Sequence, residues 1–516
     1  MMPVAESRKR NTFYNFLIPT LITFITTVLK FFEIRLFLSV LGDSYNGLQS
    51  MASQILTYLN IIDLGVGAAF VFHLYKPLAE HNELRVCAVF NGAKIIMRRI
   101  GYVFTILLFI TAFCYPFFVK DVRNGNFSFT MVSVTIVMLG MSSLYGYFLS
   151  APESLFLTAS QKGYIQRLLG LFSTLGIPLV SIILFCSVRL LGEINRSTLY
   201  TIILLSKSVI SFVSSVITVV YVRKKYPHLY RNKKEKDTSI FGMTKDLLPH
   251  RIAALLVFNT TPILLSLFST LKVVSIYNIY YLLISYASMV LNLVLTAPQT
   301  SLGNLLNSNK DRFSLIYETY ENLSFFLVTS ATVFMVLFFF PFMKWYLYDK
   351  PDYIMTILMI LFSLNFYFRN IRAPFLSLID ITGNYKKTKW IAILEAIIIF
   401  SICFCGLSVV QQWEKQLIVV SLAPVISYIV YDSLQMFTVN KLILNRASSV
   451  LFLKWLFSFS VILLILFLFL FLLPVFKTIQ WTFLNLFLYG CFLVFCIGLP
   501  VGGYYFHFRK KKRATS

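Results

Sequence analysis

The chain has 516 residues, of which 58% are hydrophobic, 17% aromatic and only 13% charged, with a formal net charge of +25. A soluble domain cannot hide so large an apolar fraction, which excludes that class. Apolar runs of about 20 residues recur along the whole chain, each long enough to cross a bilayer as a helix, whereas barrel strands would be shorter and would alternate. The sequence therefore predicts an all-α polytopic membrane protein.

About fourteen spans are predicted: 12–41, 47–74, 100–119, 129–150, 166–188, 199–222, 247–270, 275–297, 322–343, 353–376, 388–409, 416–439, 450–473 and 481–505. The first holds Lys30, Glu33 and Arg35 and ends in Leu41-Gly42-Asp43-Ser44-Tyr45-Asn46-Gly47-Leu48. The second holds Asp63 in Asp63-Leu64-Gly65-Val66-Gly67 and leaves through Leu74-Tyr75-Lys76-Pro77-Leu78-Ala79. Charge inside hydrocarbon is expensive, so four charges in two neighbouring spans mark a functional region. Lys30 and Glu33 are three residues apart on one helical face and can pair. Salt bridging between the first two helices is the plain alternative to ligand binding.

Further along, Lys207 in the sixth span stands on a face with Ser206, Ser208 and Ser211, as a wet cavity wall would. Arg369 and Arg372 in the tenth span either line the cavity or snorkel to the interface. Glu395 and Asp432, in the eleventh and twelfth, have no obvious partner in sequence. With Asp63 they are the candidates for ion coupling. Pro19, Pro178, Pro262, Pro374, Pro424 and Pro500 fall within spans, as packing kinks or hinges. The cysteines form no outward pair, so neither a disulfide framework nor a metal site is indicated, and the histidines cluster at one side, away from an outward substrate.

The placement of positive charge sets the expected topology. With the N-terminus inside, about 32 of the 46 Lys and Arg residues fall in the inward loops and termini, about 9 in the opposite loops, and Lys30, Arg35, Lys207, Arg369 and Arg372 within spans. Both termini are thus expected in the cytoplasm. The basic tail Arg509-Lys510-Lys511-Lys512-Arg513 and the loop from Arg223 to Lys236 anchor that topology, and they read as topology signals and lipid attraction rather than nucleic-acid binding. The first apolar segment is too long for a cleavable signal core and is expected to remain as a span.

Short matches relate the two halves: Leu17-Ile18-Pro19 with Leu247-Leu248-Pro249, Tyr45-Asn46 with Tyr277-Asn278, Leu59-Asn60 with Leu291-Asn292, and Ala151-Pro152 with Ala373-Pro374. Seven spans per half would put the second half's start outside, against the charge asymmetry. The expected organisation is therefore a six-helix lobe over 1–222, a basic cytoplasmic linker over 223–246, a second six-helix lobe over 247–441, and two extra spans with a basic tail over 442–516. Two such bundles enclose a central cavity, as in repeat-built transporters. The charges at Lys30, Glu33, Arg35 and Asp63 align with Thr260, Ile263, Leu265 and Leu295, so the second lobe is expected to be the more apolar one.

The three pieces around 41–48, 63–69 and 74–79 resemble, in order and spacing, the N-terminal signature of Wzx-type polysaccharide repeat-unit flippases. These belong to the multidrug/oligosaccharidyl-lipid/polysaccharide flippase superfamily. The segment from Pro298 to Gly303 resembles the end of that family's eighth span. Asp63 stands where the family often carries Glu. The resemblance implies a MATE-like architecture. It also implies transfer of an undecaprenyl-diphosphate-linked oligosaccharide to the outer leaflet of the bacterial cytoplasmic membrane. Arg35 and Lys30 would receive the diphosphate, helped by Asp63, Glu33, Lys207, Arg369 and Arg372. A polysaccharide polymerase and a chain-length regulator are the candidate protein partners. No cofactor is expected, and the absence of a P-loop sequence argues against direct ATP hydrolysis. A lipid II flippase and a small-solute or drug antiporter of the same superfamily are the alternatives. A polymerase or ligase would need a larger outward loop than any present here.

Overall fold

A computed structural model describes residues 4–63, 66–191, 194–231, 237, 248–308, 310–439, 448–494 and 496. Among them every regular element is a helix. Helices satisfy all backbone hydrogen bonds within one segment, which is what hydrocarbon demands. In chain order they are α1 (Val4–Val40), α2 (Asp43–Leu59), α3 (Val66–Ala79), α4 (Glu83–Cys114), α5 (Lys120–Arg123), α6 (Phe129–Tyr145), α7 (Ala151–Ala159), α8 (Gly163–Leu169), α9 (Leu171–Thr174), α10 (Gly176–Leu191), α11 (Arg196–Lys225) and α12 (His228–Arg231). There follow α13 (Leu248–Phe268), α14 (Leu271–Thr296), α15 (Gln299–Ser308), α16 (Lys310–Tyr346), α17 (Thr356–Ile371), α18 (Ala373–Thr382), α19 (Tyr385–Val409), α20 (Trp413–Val439) and α21 (Ser448–Thr478). A shorter apolar helix, α22 (Phe483–Val494), ends the described chain.

Eleven described helical stretches are long and apolar enough to cross a membrane. The other three expected spans differ in detail. The second is split into α2 and α3 by a 3-10 turn at Asn60–Asp63. The Asn60 amide marks that break: it donates to Ser143 Oγ at 3.3 Å and accepts from Tyr147 OH at 2.9 Å. The seventh is the 21-residue α13, and the fourteenth is described only over α22. Pro500 and the basic tail lie outside the described residues. Phe467 and Phe471 on α21 are 69% and 78% exposed, as expected for a face turned to lipid.

By contacts the chain divides into two compact units, Met1–Ser275 and Ile276–Ser516. In the first, α1 packs on α10, α4 and α11 on α6, and α13 on α2. The helix α13, which the repeat alignment assigns to the second lobe, is grouped with this first unit. In the second, α16 packs on α17 and α21, and α20 on α17 and α19.

The signature around 41–48 has a structural cause. Gly42 sits between α1 and α2 at φ 91°, a left-handed conformation that side chains resist. Gly47 lies so close to α14 that a Cβ there would fall 1.8 Å from the Leu271 carbonyl oxygen. Beside it, Asn46 donates to Ser275 Oγ at 2.7 Å. The short α5 then binds both ends of the α13–α14 turn. Lys120 Nζ and Arg123 Nη2 donate to the Phe268 and Leu267 carbonyls at 2.9 and 2.8 Å, while Asp121 Oδ2 accepts from the Leu271 N–H at 2.6 Å. Cations thus meet a helix C-terminus and an anion meets a helix N-terminus, the favourable sense for both dipoles.

The repeated Ala-Pro pair opens a helix in each unit. Pro152 stands in the first turn of α7, after a π-helical turn at Gly146–Ser150, and Pro374 in the first turn of α18, after a break at Arg372. Proline has no N–H to donate, so each pair begins a helix instead of continuing one.

Candidate functional site

The first unit holds a buried ion pair between helices distant in sequence. Glu33 of α1 is 8% exposed, and its Oε1 lies 3.3 Å from Lys207 Nζ of α11. The same ammonium donates to Gln49 Oε1 of α2 at 3.1 Å, so three helices meet at Lys207. The expected pairing of Glu33 with Lys30 is corrected here. The Lys30 side chain is exposed and only within electrostatic reach of Glu33 and Lys207, while Glu33 turns inward. Helical spacing places two residues on one face but does not choose their rotamers. Arg35 is half-buried two residues further along α1. Asp63 closes the 3-10 turn after α2, and its side chain lies outside the described residues.

The serine face around Lys207 packs on α6. Ser208 shares a hydrogen bond with Tyr145 at 3.1 Å, and Ser142 donates to Ser211 Oγ at 3.0 Å. These bonds tie α11 to α6. Small hydroxyl residues let membrane helices approach closely and hydrogen-bond across the contact.

In the second unit Arg372, Glu395 and Asp432 come together. Arg372 is 5% exposed and Asp432 fully buried. Arg372 Nη1 donates to Glu395 Oε1 at 2.8 Å, and its Nε lies 3.8 Å from Asp432 Oδ1. The guanidinium carbon stands 4.3 Å from the Tyr428 ring centroid and 4.5 Å from that of Tyr431. The expectation that Arg372 snorkels is therefore overturned. The break before Pro374 releases its side chain into the protein, where two carboxylates compensate the cost of burial. The same cluster supplies the partner for Glu395 and Asp432 that the sequence did not make obvious, and places charge in the lobe expected to be the more apolar one. Ser427 Oγ donates to the Glu395 carbonyl at 2.8 Å and holds α20 against α19 at this level. Two carboxylates facing one guanidinium leave the site one positive charge short when both are ionised.

Arg369 reaches toward α14. It is half-buried, with Nη1 3.4 Å from Ser285 Oγ and its guanidinium carbon 5.9 Å from the Tyr281 ring centroid. Elsewhere in the second unit, α16 and α21 enclose an apolar groove of about 540 Å³ walled by Phe325, Phe326, Val333, Phe457 and Val461. Lys454 also lines it, 3.2 Å from Glu321 and 3.8 Å from Glu318. Sequence reasoning missed Glu153, which is 1% exposed and directly follows Ala151-Pro152. A carboxylate placed just after a helix-breaking proline in an apolar run was the available signal.

No family model matches the sequence, and no curated protein matches it. Solved structures do. The lipid II flippase MurJ, in an inward closed conformation, aligns over 88% of this chain and 99% of its own at 17% identity, with a TM-score of 0.55. A multidrug resistance MATE family transporter of the MOP superfamily, inward-facing, aligns over 81% of this chain and 95% of its own at 12% identity, with a TM-score of 0.58. A MATE protein in complex with MaL6 gives a TM-score of 0.53 at 9% identity, over 83% of this chain and 96% of its own. The chain is thus a multi-pass, all-helical membrane protein with the fold found in MurJ and in MATE transporters.

Proposed function

We propose that this protein is a flippase that moves an undecaprenyl-diphosphate-linked oligosaccharide repeat unit from the inner to the outer leaflet of the bacterial cytoplasmic membrane, for capsule, exopolysaccharide or O-antigen synthesis. The observation that carries this reading is the charge set on α1 and α11. Lys30, Arg35 and Lys207 bring three positive charges and Glu33 a negative one inside apolar helices. Such a set suits a diphosphate, because ammonium and guanidinium groups bind phosphate oxygens strongly. Diphosphate and sugars cannot cross hydrocarbon unaided, so a polar path must carry them while the polyprenyl tail stays in lipid or along an apolar groove.

Transport would proceed by alternating access of two six-helix lobes, 1–222 and 247–441, with the two C-terminal helices appended. The cluster of Arg372, Glu395 and Asp432 would couple the cycle to an ion gradient. Deleting the gene is expected to strip surface polysaccharide and to leave lipid-linked repeat units on the inner leaflet. Arg35→Ala, at wild-type expression, is expected to do the same. Normal surface polymer in that variant would remove Arg35 from the mechanism. The likeness to MurJ, spanning 99% of that chain, favours one second reading, a lipid II flippase. Depletion would then block cell-wall synthesis and lyse cells instead of removing surface polymer.

A further inference from the structure

A second charged centre lies in the first unit, separate from the charges on α1. The residues Lys94 and Arg98 of α4, Tyr147 of the π-helical turn, Glu153 of α7, Arg223 of α11 and Tyr230 of α12 line a cavity of about 570 Å³. Its size falls within the range of small-molecule sites. It lies on the side of α4 and α11 that the distribution of Lys and Arg assigns to the cytoplasm.

The charges in this wall do not balance. Glu153 Oε1 lies 3.2 Å from Lys94 Nζ and accepts from Tyr230 OH at 2.9 Å. Burial, and then the Glu153 carboxylate, push the Tyr230 phenol up, so it remains an O–H donor. Lys94 Nζ also stands 4.1 Å from the Tyr230 ring centroid, and the Arg223 guanidinium 5.9 Å from the same ring. Glu153 and Lys94 thus answer one another. Arg98 and Arg223 have no carboxylate within ion-pair distance among the described residues. Both act electrostatically on Lys94, so three cations share this space with one carboxylate. Clustered like charges without a counterion repel, and an anion seated between them removes that cost.

The backbone around the cavity is specialised as well. The π-helical turn at Gly146–Ser150 carries Tyr147 and Phe148 into the wall. Such turns are rare and concentrate at functional sites. We propose that this cavity binds a phosphate-bearing anion, with the guanidinium groups of Arg98 and Arg223 as its ligands and the Lys94–Glu153–Tyr230 set as the support that holds the wall in place. Paired guanidinium groups match phosphate oxygens in geometry and charge. The phosphate belongs either to an anionic membrane phospholipid or to a soluble phosphate compound.

Native mass spectrometry of the full-length protein, with phosphatidylglycerol or phosphatidylcholine added, tests this. Wild type is expected to retain one phosphatidylglycerol and to release phosphatidylcholine. The double variant Arg98→Ala, Arg223→Ala is expected to bind phosphatidylglycerol about tenfold more weakly, since charge-assisted hydrogen bonds are lost. Lys224→Ala, Lys225→Ala removes the same amount of charge, beside Arg223 at the end of α11 but at positions that do not line the cavity, and is expected to retain the lipid. Unchanged detergent melting of both variants guards against misfolding. Inorganic phosphate that displaces phosphatidylglycerol would support the site with a soluble phosphate as its ligand; failure to displace it supports the lipid. Equal retention by wild type and the arginine variant, or an equal loss in the lysine variant, would overturn the proposal.

Discussion

Asp121 offers the sharpest test of how the first unit works. Its carboxylate is 5% exposed and accepts a 2.6 Å hydrogen bond from the Leu271 N–H at the start of α14. Under the alternating access proposed above, and on the sidedness predicted from the loop charges, this contact would lie at the outward face and would have to break in each cycle. A hydrogen bond to a charged group contributes about 1.5–3 kcal/mol, and its loss leaves a helix N-terminal N–H without its anion. At about 1.4 kcal/mol per factor of ten, Asp121→Ala is expected to raise the open population about 10- to 100-fold. A cysteine at Ser275, the buried partner of Asn46, reports opening once the seven native cysteines are replaced. Its labelling by a membrane-impermeant maleimide would accelerate by that factor in Asp121→Ala. An unchanged labelling rate, with melting also unchanged, would refute the reasoning.

Three further outcomes are expected. Gly47→Ala places a Cβ on the Leu271 carbonyl, a backbone atom that cannot turn aside, so it is expected to destabilise the first unit by at least about 1–3 kcal/mol; an unaltered melting temperature would contradict the packing described. Arg372→Met leaves Glu395 and Asp432 buried without their cation, at a cost of about 3–5 kcal/mol. Adding Glu395→Gln and Asp432→Asn is expected to restore most of the lost melting temperature, whereas losses that simply add would show that the three groups are not coupled. A double-mutant cycle on Glu33→Gln and Lys207→Met is expected to give a coupling of about 0.5–3 kcal/mol in thermal or denaturant stability; zero coupling would argue that the 3.3 Å approach carries no energy.

The amino-acid sequence alone determined the class and the position of most spans. Apolar runs act locally: a stretch such as Phe452–Thr478 has to be helical in lipid whatever surrounds it, whereas Pro374, read from sequence as lying within a span, opens α18, and Pro19, Pro262 and Pro424 stay inside helices. The residues Gly42, Asn46 and Gly47 were visible as a motif, but their reason was not. It lies in a left-handed turn and in the approach of Leu271 and Ser275, far along the chain. Only the tertiary structure decided the partners of the buried charges. Glu33 could reach Lys30 by spacing, yet it meets Lys207. Arg372 could snorkel by position, yet it joins Glu395 and Asp432. Helical periodicity tells which face a charge lies on, but the helix opposite that face is chosen by packing, and burial then fixes which opposite charge must be there.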